Sequence, residues 1–156
     1  MFKKILVPVQ TEVNDQAVID SALNLAQQLQ GQIMFLHVFS SEDKGRPLTP
    51  TPVLYNYPMV TDELMKNYRS RLEDAESQGL EMLKRLTAKA ASMGISAEFT
   101  QNIGTRSHVI CKIAENWQAN LIVMRQPDRS TLDEMLTGGV SNYVVHHAPC
   151  AVLTVH

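Results

Sequence analysis

The chain predicts a doubly wound α/β domain, a parallel sheet with helices packed on both of its faces. Three observations carry this. Short aliphatic runs recur along the sequence, stretches of helical periodicity separate them, and Gly, Asn or Pro falls at the changeovers. Strands that alternate with helices lie parallel, and the crossover helices cover the sheet. The 156 residues fit one domain over 1–156, and 44% hydrophobic with 19% charged residues is enough apolar mass for one buried sheet.

Lys4 to Val9 reads as a buried strand, short and rich in β-branched residues. Residues 10–15 are polar and loop-like, with Asn14 as the N-cap of a first helix. Val18, Ala22, Leu25 and Leu29 then recur at helical spacing, and Gly31 ends the helix. Gln32 to Phe39 is a second buried strand, joined to the first by a right-handed crossover. Residues 40–58 hold Gly45 and four prolines (Pro47, Pro50, Pro52, Pro58) and read as a long surface loop, of a length that is usually functional or mobile. A long helix runs from Thr61 to about Met93, its first part with Tyr68 extending past the core, and Gly94 closes it. Ala97 to Asn102 is the third strand, Gly104 a turn, and Ser107 to Asn116 a helix with Val109, Ile110 and Ile113 inward. Leu121 to Met124 is the fourth strand, and a polar loop begins at Arg125 with a helical turn at Thr131 to Leu136. Gly138-Gly139 opens a helix through His147, Pro149 breaks it, and Ala151 to Val155 is the last strand.

The same residues exclude several functions. A formal charge of −2 and few aromatics among the basic residues argue against a nucleic-acid surface. The apolar run at the N-terminus is too short for a signal peptide, and no stretch reaches the ~20 apolar residues of a membrane span, so a cytoplasmic location is expected. Cys111 and Cys150, the only cysteines, are expected to be reduced and packed, with no disulfide. His37 is expected to hydrogen-bond inside the fold, and His146 and His147 to point to different sides of a helix end. No metal site is expected, because metal-ligand spacings are missing. Gly-x-Ser-x-Gly, the P-loop and HExxH are also missing, so no catalytic residue is assigned and no enzyme is expected.

Four segments taken together, KILVPV at the start, FLHV in the second strand, NLIVM in the fourth and HHAPCAVLTV at the end, resemble the universal stress protein family in order and spacing. The resemblance covers essentially the whole chain. It implies a three-layer, Rossmann-like fold of the adenine nucleotide alpha hydrolase type, with five parallel strands in the order 3-2-1-4-5. It also implies a homodimer through the last strand, Ala151, Val152, Leu153, Thr154 and Val155. An apolar terminal strand agrees, since an open edge is covered when it pairs with a two-fold copy.

Nucleotide-binding members of that family carry Gly-x-x-Gly, nine residues, then Gly-Ser or Gly-Thr, and an aspartate after the first strand that contacts the nucleoside. By position the resemblance assigns Pro8, Val9, Gln10, Val38, Met124, Arg125, Asp128, Gly138, Gly139, Val140 and Ser141 to the nucleotide or anion site. The chemistry at these positions has changed. Bare glycines let backbone N–H groups approach phosphate, yet the first two glycine positions are Arg125 and Asp128. Asp128 would repel a phosphate, and Pro127 removes a donor. Arg125 could hold an anion in another pose or pair with Asp128. Gly139 lacks the hydroxyl, for which Ser130 or Ser141 could compensate, and the aspartate position is Gln10. A helix start at Gly138–Ser141 still suits sulfate or phosphate.

The expected function is therefore a non-enzymatic stress or signalling protein that acts as a homodimer through an unidentified protein partner. ATP binding is expected to be weakened or lost, and no cofactor is required. The alternative is a regulatory switch that binds ATP or AMP through Arg125, Gly138 and Ser141. A weak hydrolase would have only Asp128 as its base.

Overall fold

The computed structural model describes residues 1–39, 62–126 and 139–156. In chain order they form β1 (Lys4–Pro8), α1 (Gln16–Leu29), β2 (Gln32–Phe39), α2 (Asp62–Ser92), β3 (Ser96–Ile103), α3 (Arg106–Trp117), β4 (Leu121–Arg125), α4 (Gly139–His147) and β5 (Ala151–Val155). The five strands make one sheet in the order β3-β2-β1-β4-β5, every pair parallel. This matches the predicted fold class. The expected loop at 40–58 and the turn at Thr131 to Leu136 lie outside the described residues.

Two apolar clusters cover the two faces, and strand alternation sorts residues between them. Ile5, Val7, Ile33 and Phe35 face α1 and α2, against Ile19, Leu23, Leu83 and Leu86. Leu6, Met34, Leu36 and Val38 face α3 and α4, against Ile110, Ala114 and Val144. Because β1 and β2 are buried on both faces, their sequences are continuous aliphatic runs rather than alternating ones. The first four turns of α2 bury no described residue, and Gly79 is the first to be buried, so this helix does extend past the core.

Three local expectations need correction. The N-cap of α1 is Asp15, not Asn14, because the Asp15 side chain folds back onto the preceding loop. The left-handed residue that ends α1 is Gln30 (φ 52°), not Gly31. Gly31 answers a different need: a Cβ there would lie 3.2 Å from the backbone oxygens of Phe2 and Lys3. Arg125 is the last residue of β4, in register with Val155, not the first residue of a loop.

His37 is buried, and its Nδ1 donates to Gln101 Oε1 at 3.0 Å, as expected of an internal histidine. His147 donates from Nδ1 to the Tyr143 carbonyl at 2.8 Å and stacks on the Tyr143 ring. Cys111 and Cys150 are free and half-buried against the second cluster, and burial pushes both thiols up from their ordinary pKa.

Candidate functional site

The site follows from the sheet order. The chain leaves β1 toward β2 and later returns to β4 on the other side of β1. Connections diverge at that point, and a crevice opens beyond the C-terminal ends of β1 and β4. The crevice is real: a cleft of about 110 Å3 is lined by Pro8, Gln10, Asp15, Arg106, Ile110, Met124, Arg125, Val140 and Ser141.

Its β1 side is built by Asp15. This residue is 4% exposed. One carboxylate oxygen, Oδ2, accepts the backbone N–H of Gln10 at 2.7 Å and that of Thr11 at 3.1 Å. Its backbone carbonyl meanwhile accepts from Ile19 N and starts α1. The side chain thus folds the loop while the main chain begins the helix. The other oxygen, Oδ1, pairs with Arg125 Nε at 3.4 Å across the cleft.

The neighbouring position is Gln10, which continues β1 beyond Pro8. Arg106, the first residue of α3, donates from Nη2 to Gln10 Oε1 at 3.0 Å. A guanidinium can only donate, so this bond fixes which end of the amide is oxygen. Gln10 Nε2 is left buried with no hydrogen-bond partner among the described residues. The floor is apolar, from Ile110 and Met124, and α4 brings Val140 and Ser141 to the opposite wall.

The structure brings six of the predicted site residues together on this cleft: Pro8, Gln10, Met124, Arg125, Val140 and Ser141. Val9 and Val38 are wholly buried and belong to the first and second core clusters. Asp128 and Gly138 lie outside the described residues, as do Pro127 and Ser130. Gly139 opens α4 with φ +59°, and a Cβ there would meet nothing within 4 Å. A serine at 139 would have space, but the left-handed backbone would cost it about 1 kcal/mol or more. The partner of Arg125 among the described residues is Asp15.

Sequence reasoning missed Asp15 and Arg106. Asp15 was one polar residue in a polar loop; its distance from Gln10 allows a carboxylate to turn back onto the loop's N–H groups, which is the available signal. Arg106 follows Gly104-Thr105 at a helix start above the sheet, and topology alone places such a residue near the cleft.

With the geometry in hand, three relatives locate the chain. YxiE of Bacillus subtilis, a universal stress protein, is 30% identical over 156 residues, covering 99% of each chain. The structure of universal stress protein UspA from Lactobacillus plantarum is 25% identical, with a TM-score of 0.65 over 99% of this chain and 98% of that one. The structure of a universal stress protein family protein from Arabidopsis thaliana with AMP bound is 19% identical, with a TM-score of 0.63 over 98% and 90%, and at that identity it shows the fold alone. The model of the universal stress protein family matches residues 1–156, and the chain belongs to that family.

Proposed function

We propose that this chain is a non-enzymatic stress-response or signalling protein that works as a homodimer through a protein partner, with ATP binding weakened or lost. One observation carries the weakened site. At the position where nucleotide-binding members place a carboxylate, Gln10 presents an amide whose oxygen is already taken by Arg106. A ribose hydroxyl or a purine amino group is held more strongly by a charged carboxylate with two oxygens than by a neutral amide whose one oxygen is shared with Arg106. Arg125, at the first glycine position, projects a side chain that is 49% exposed into the same cleft and pairs with Asp15. A cleft of about 110 Å3 is also below the ~300–1,000 Å3 of ordinary small-molecule pockets.

The absence of catalysis is supported by composition of the cleft: its described lining holds no histidine, cysteine or lysine, and its one carboxylate is committed to two backbone N–H groups and a guanidinium. The dimer is supported by β5, which among the described residues pairs with β4 on one side only and exposes Leu153 by 39%. Among the described residues no helix is long and apolar enough to cross a membrane, which accords with a cytoplasmic protein.

A second reading, a nucleotide-responsive switch, is favoured by the six predicted residues that meet on the cleft and by fold neighbours solved with AMP, cAMP and dAMP. Calorimetry with ATP and AMP separates the two. No heat at millimolar nucleotide is the expected result, and saturable heat with either one rejects the first reading in favour of the switch.

A further inference from the structure

A second hollow, larger than the cleft, lies at the β3 edge of the sheet, where α2 runs out past the core. It has a volume of about 450 Å3 and shares no described lining residue with the cleft. That volume falls within the ~300–1,000 Å3 of small-molecule pockets. Two elements supply its walls. Phe99, Gln101 and Ile103 alternate onto one face of β3, and Leu72, Glu76 and Leu80 follow one another at a spacing of four along α2. Phe39, the last residue of β2, adds a second ring. Gln101 ties the two walls together: its Nε2 donates to the Glu76 carbonyl at 3.2 Å, and its Oε1 accepts from His37 Nδ1 at 3.0 Å. Gly79 permits this approach, because a Cβ there would collide with Gln101 Oε1 and lie 2.7 Å from His37 Nδ1. The helix therefore meets the sheet at Gly79 and stands off it in the turns before.

Two properties of these walls point to a ligand. The first is exposed apolar surface: Phe99 is 37% exposed and Ile103 74%, on the same face of the same strand. One exposed apolar side chain is ordinary, but two that open on one hollow form a contact surface. The second is charge. Glu76 is the only charged residue in the described lining. It is exposed, and its carboxylate makes no hydrogen bond or ion pair among the described residues. The helix positions that could pair with it are Leu72, Glu73, Gly79 and Leu80, which offer no cation and one further negative charge. We propose that this groove binds a small amphipathic cation, an amine whose apolar chain or ring lies between α2 and β3 and whose ammonium group reaches Glu76. The rings of Phe39 and Phe99 suit such a molecule, since aromatic faces attract both apolar groups and cations. This goes beyond the functional reading above, which concerns the cleft and a protein partner.

The test is a titration of the full chain with 4-phenylbutylamine at neutral pH and low ionic strength, followed by 15N–1H NMR. The alcohol 4-phenylbutan-1-ol and the carboxylate 4-phenylbutanoate, of the same shape, are parallel arms. Saturable shifts are expected at the amides of residues 72–80 and 99–103, in the millimolar range or tighter. Affinity should fall in the order amine, alcohol, carboxylate. Glu76→Gln keeps the shape and removes the charge, so the amine should weaken about two- to fivefold, to the level of the alcohol, while the alcohol is unchanged. Ile103→Ser should weaken all three probes by about fivefold, because it removes part of the apolar wall. Both positions are exposed, so neither change should disturb the core. In wild type the amine's advantage should also fade at ~1 M salt, a readout that needs no variant. Absence of saturable shifts with the amine overturns the proposal. So do shifts confined to Gln10, Met124 and Ser141 of the cleft, an amine that binds no better than the alcohol, and an advantage of the amine that survives Glu76→Gln or high salt.

Discussion

The two ends of the sheet are constructed differently. At the N-terminal end of the strands the side chains of Lys3, Lys4 and Asn120 tie neighbouring elements together. Asn120 Oδ1 accepts the backbone N–H groups of Lys3 at 3.1 Å and Lys4 at 3.0 Å. Lys3 Nζ donates to the carbonyl of Leu29, the last residue of α1, and Lys4 Nζ to that of Trp117, the last residue of α3. Each of these helices ends in a left-handed glutamine, Gln30 or Gln118, whose N–H closes back on the final turn. Two neighbouring lysines thus place positive charge on two helix C-termini, where the dipole favours it. At the other end one buried amide nitrogen, Gln10 Nε2, has no partner among the described residues, and Arg125 lies half-exposed across the cleft. The first arrangement spends its polar groups on holding the fold. The second leaves one buried donor unused, as binding sites do and scaffold does not.

Asp15 is the exception at the cleft end, because it is satisfied and buried. Asp15→Ala leaves two backbone N–H groups and Arg125 without this partner, and a loss of about 3 kcal/mol is expected by urea denaturation. A loss under about 1 kcal/mol would mean that water takes over the loop, and that this end depends on no side chain for its stability. The comparison is sharpened by a matched pair of changes. Asn120→Ala should cost about 1–2 kcal/mol, seen as a fall in Tm of roughly 5 °C. Gln10→Leu removes the unsatisfied amide nitrogen together with one acceptor of Arg106, so stability should stay within about 1 kcal/mol of wild type. Equal losses in the two experiments would erase the distinction between the ends.

The strands, helices and strand order were legible because burial writes them into the sequence. Residues 5–7, 33–36 and 38 are apolar because they lie between two helix layers, and the resemblance supplied the order of the strands. The cleft was legible only as a set of positions. Gln10 and Arg125 stood out as departures from a pattern, but their partners did not, since Arg106 lies 96 residues from Gln10 and Asp15 lies 110 from Arg125. Contacts of that separation are set by tertiary packing and leave no periodic trace. Helix ends misled for a related reason. Gly31 looks like a C-terminal glycine, yet it is small because the carbonyls of Phe2 and Lys3, just before β1, pass over it, and Gln30 takes the left-handed turn.

A contact away from both ends sets the scale for what a surface pair contributes. Asp20 on α1 accepts from Gln16 Nε2 at 2.9 Å and pairs with Lys89 Nζ of α2 at 3.3 Å, both members about half exposed. The Gln16 hydrogen bond, with Lys89 adding to it, holds the Asp20 carboxyl below its usual value of 3.8. A carboxyl lowered on folding stabilises the native state above its unfolded pKa, and the contribution is lost as pH falls through the lower, folded value. Solvent screening limits it to a few tenths of a kcal/mol. Asp20→Asn should therefore reduce stability slightly at pH 7, and the difference from wild type should shrink as the solution is taken below pH 3.8. Raising the salt to ~1 M should shrink it at pH 7 as well. A difference that persisted in acid and in salt would show that charge is not its source, and helix propensity would not explain it either, since Asn and Asp are both poor helix formers.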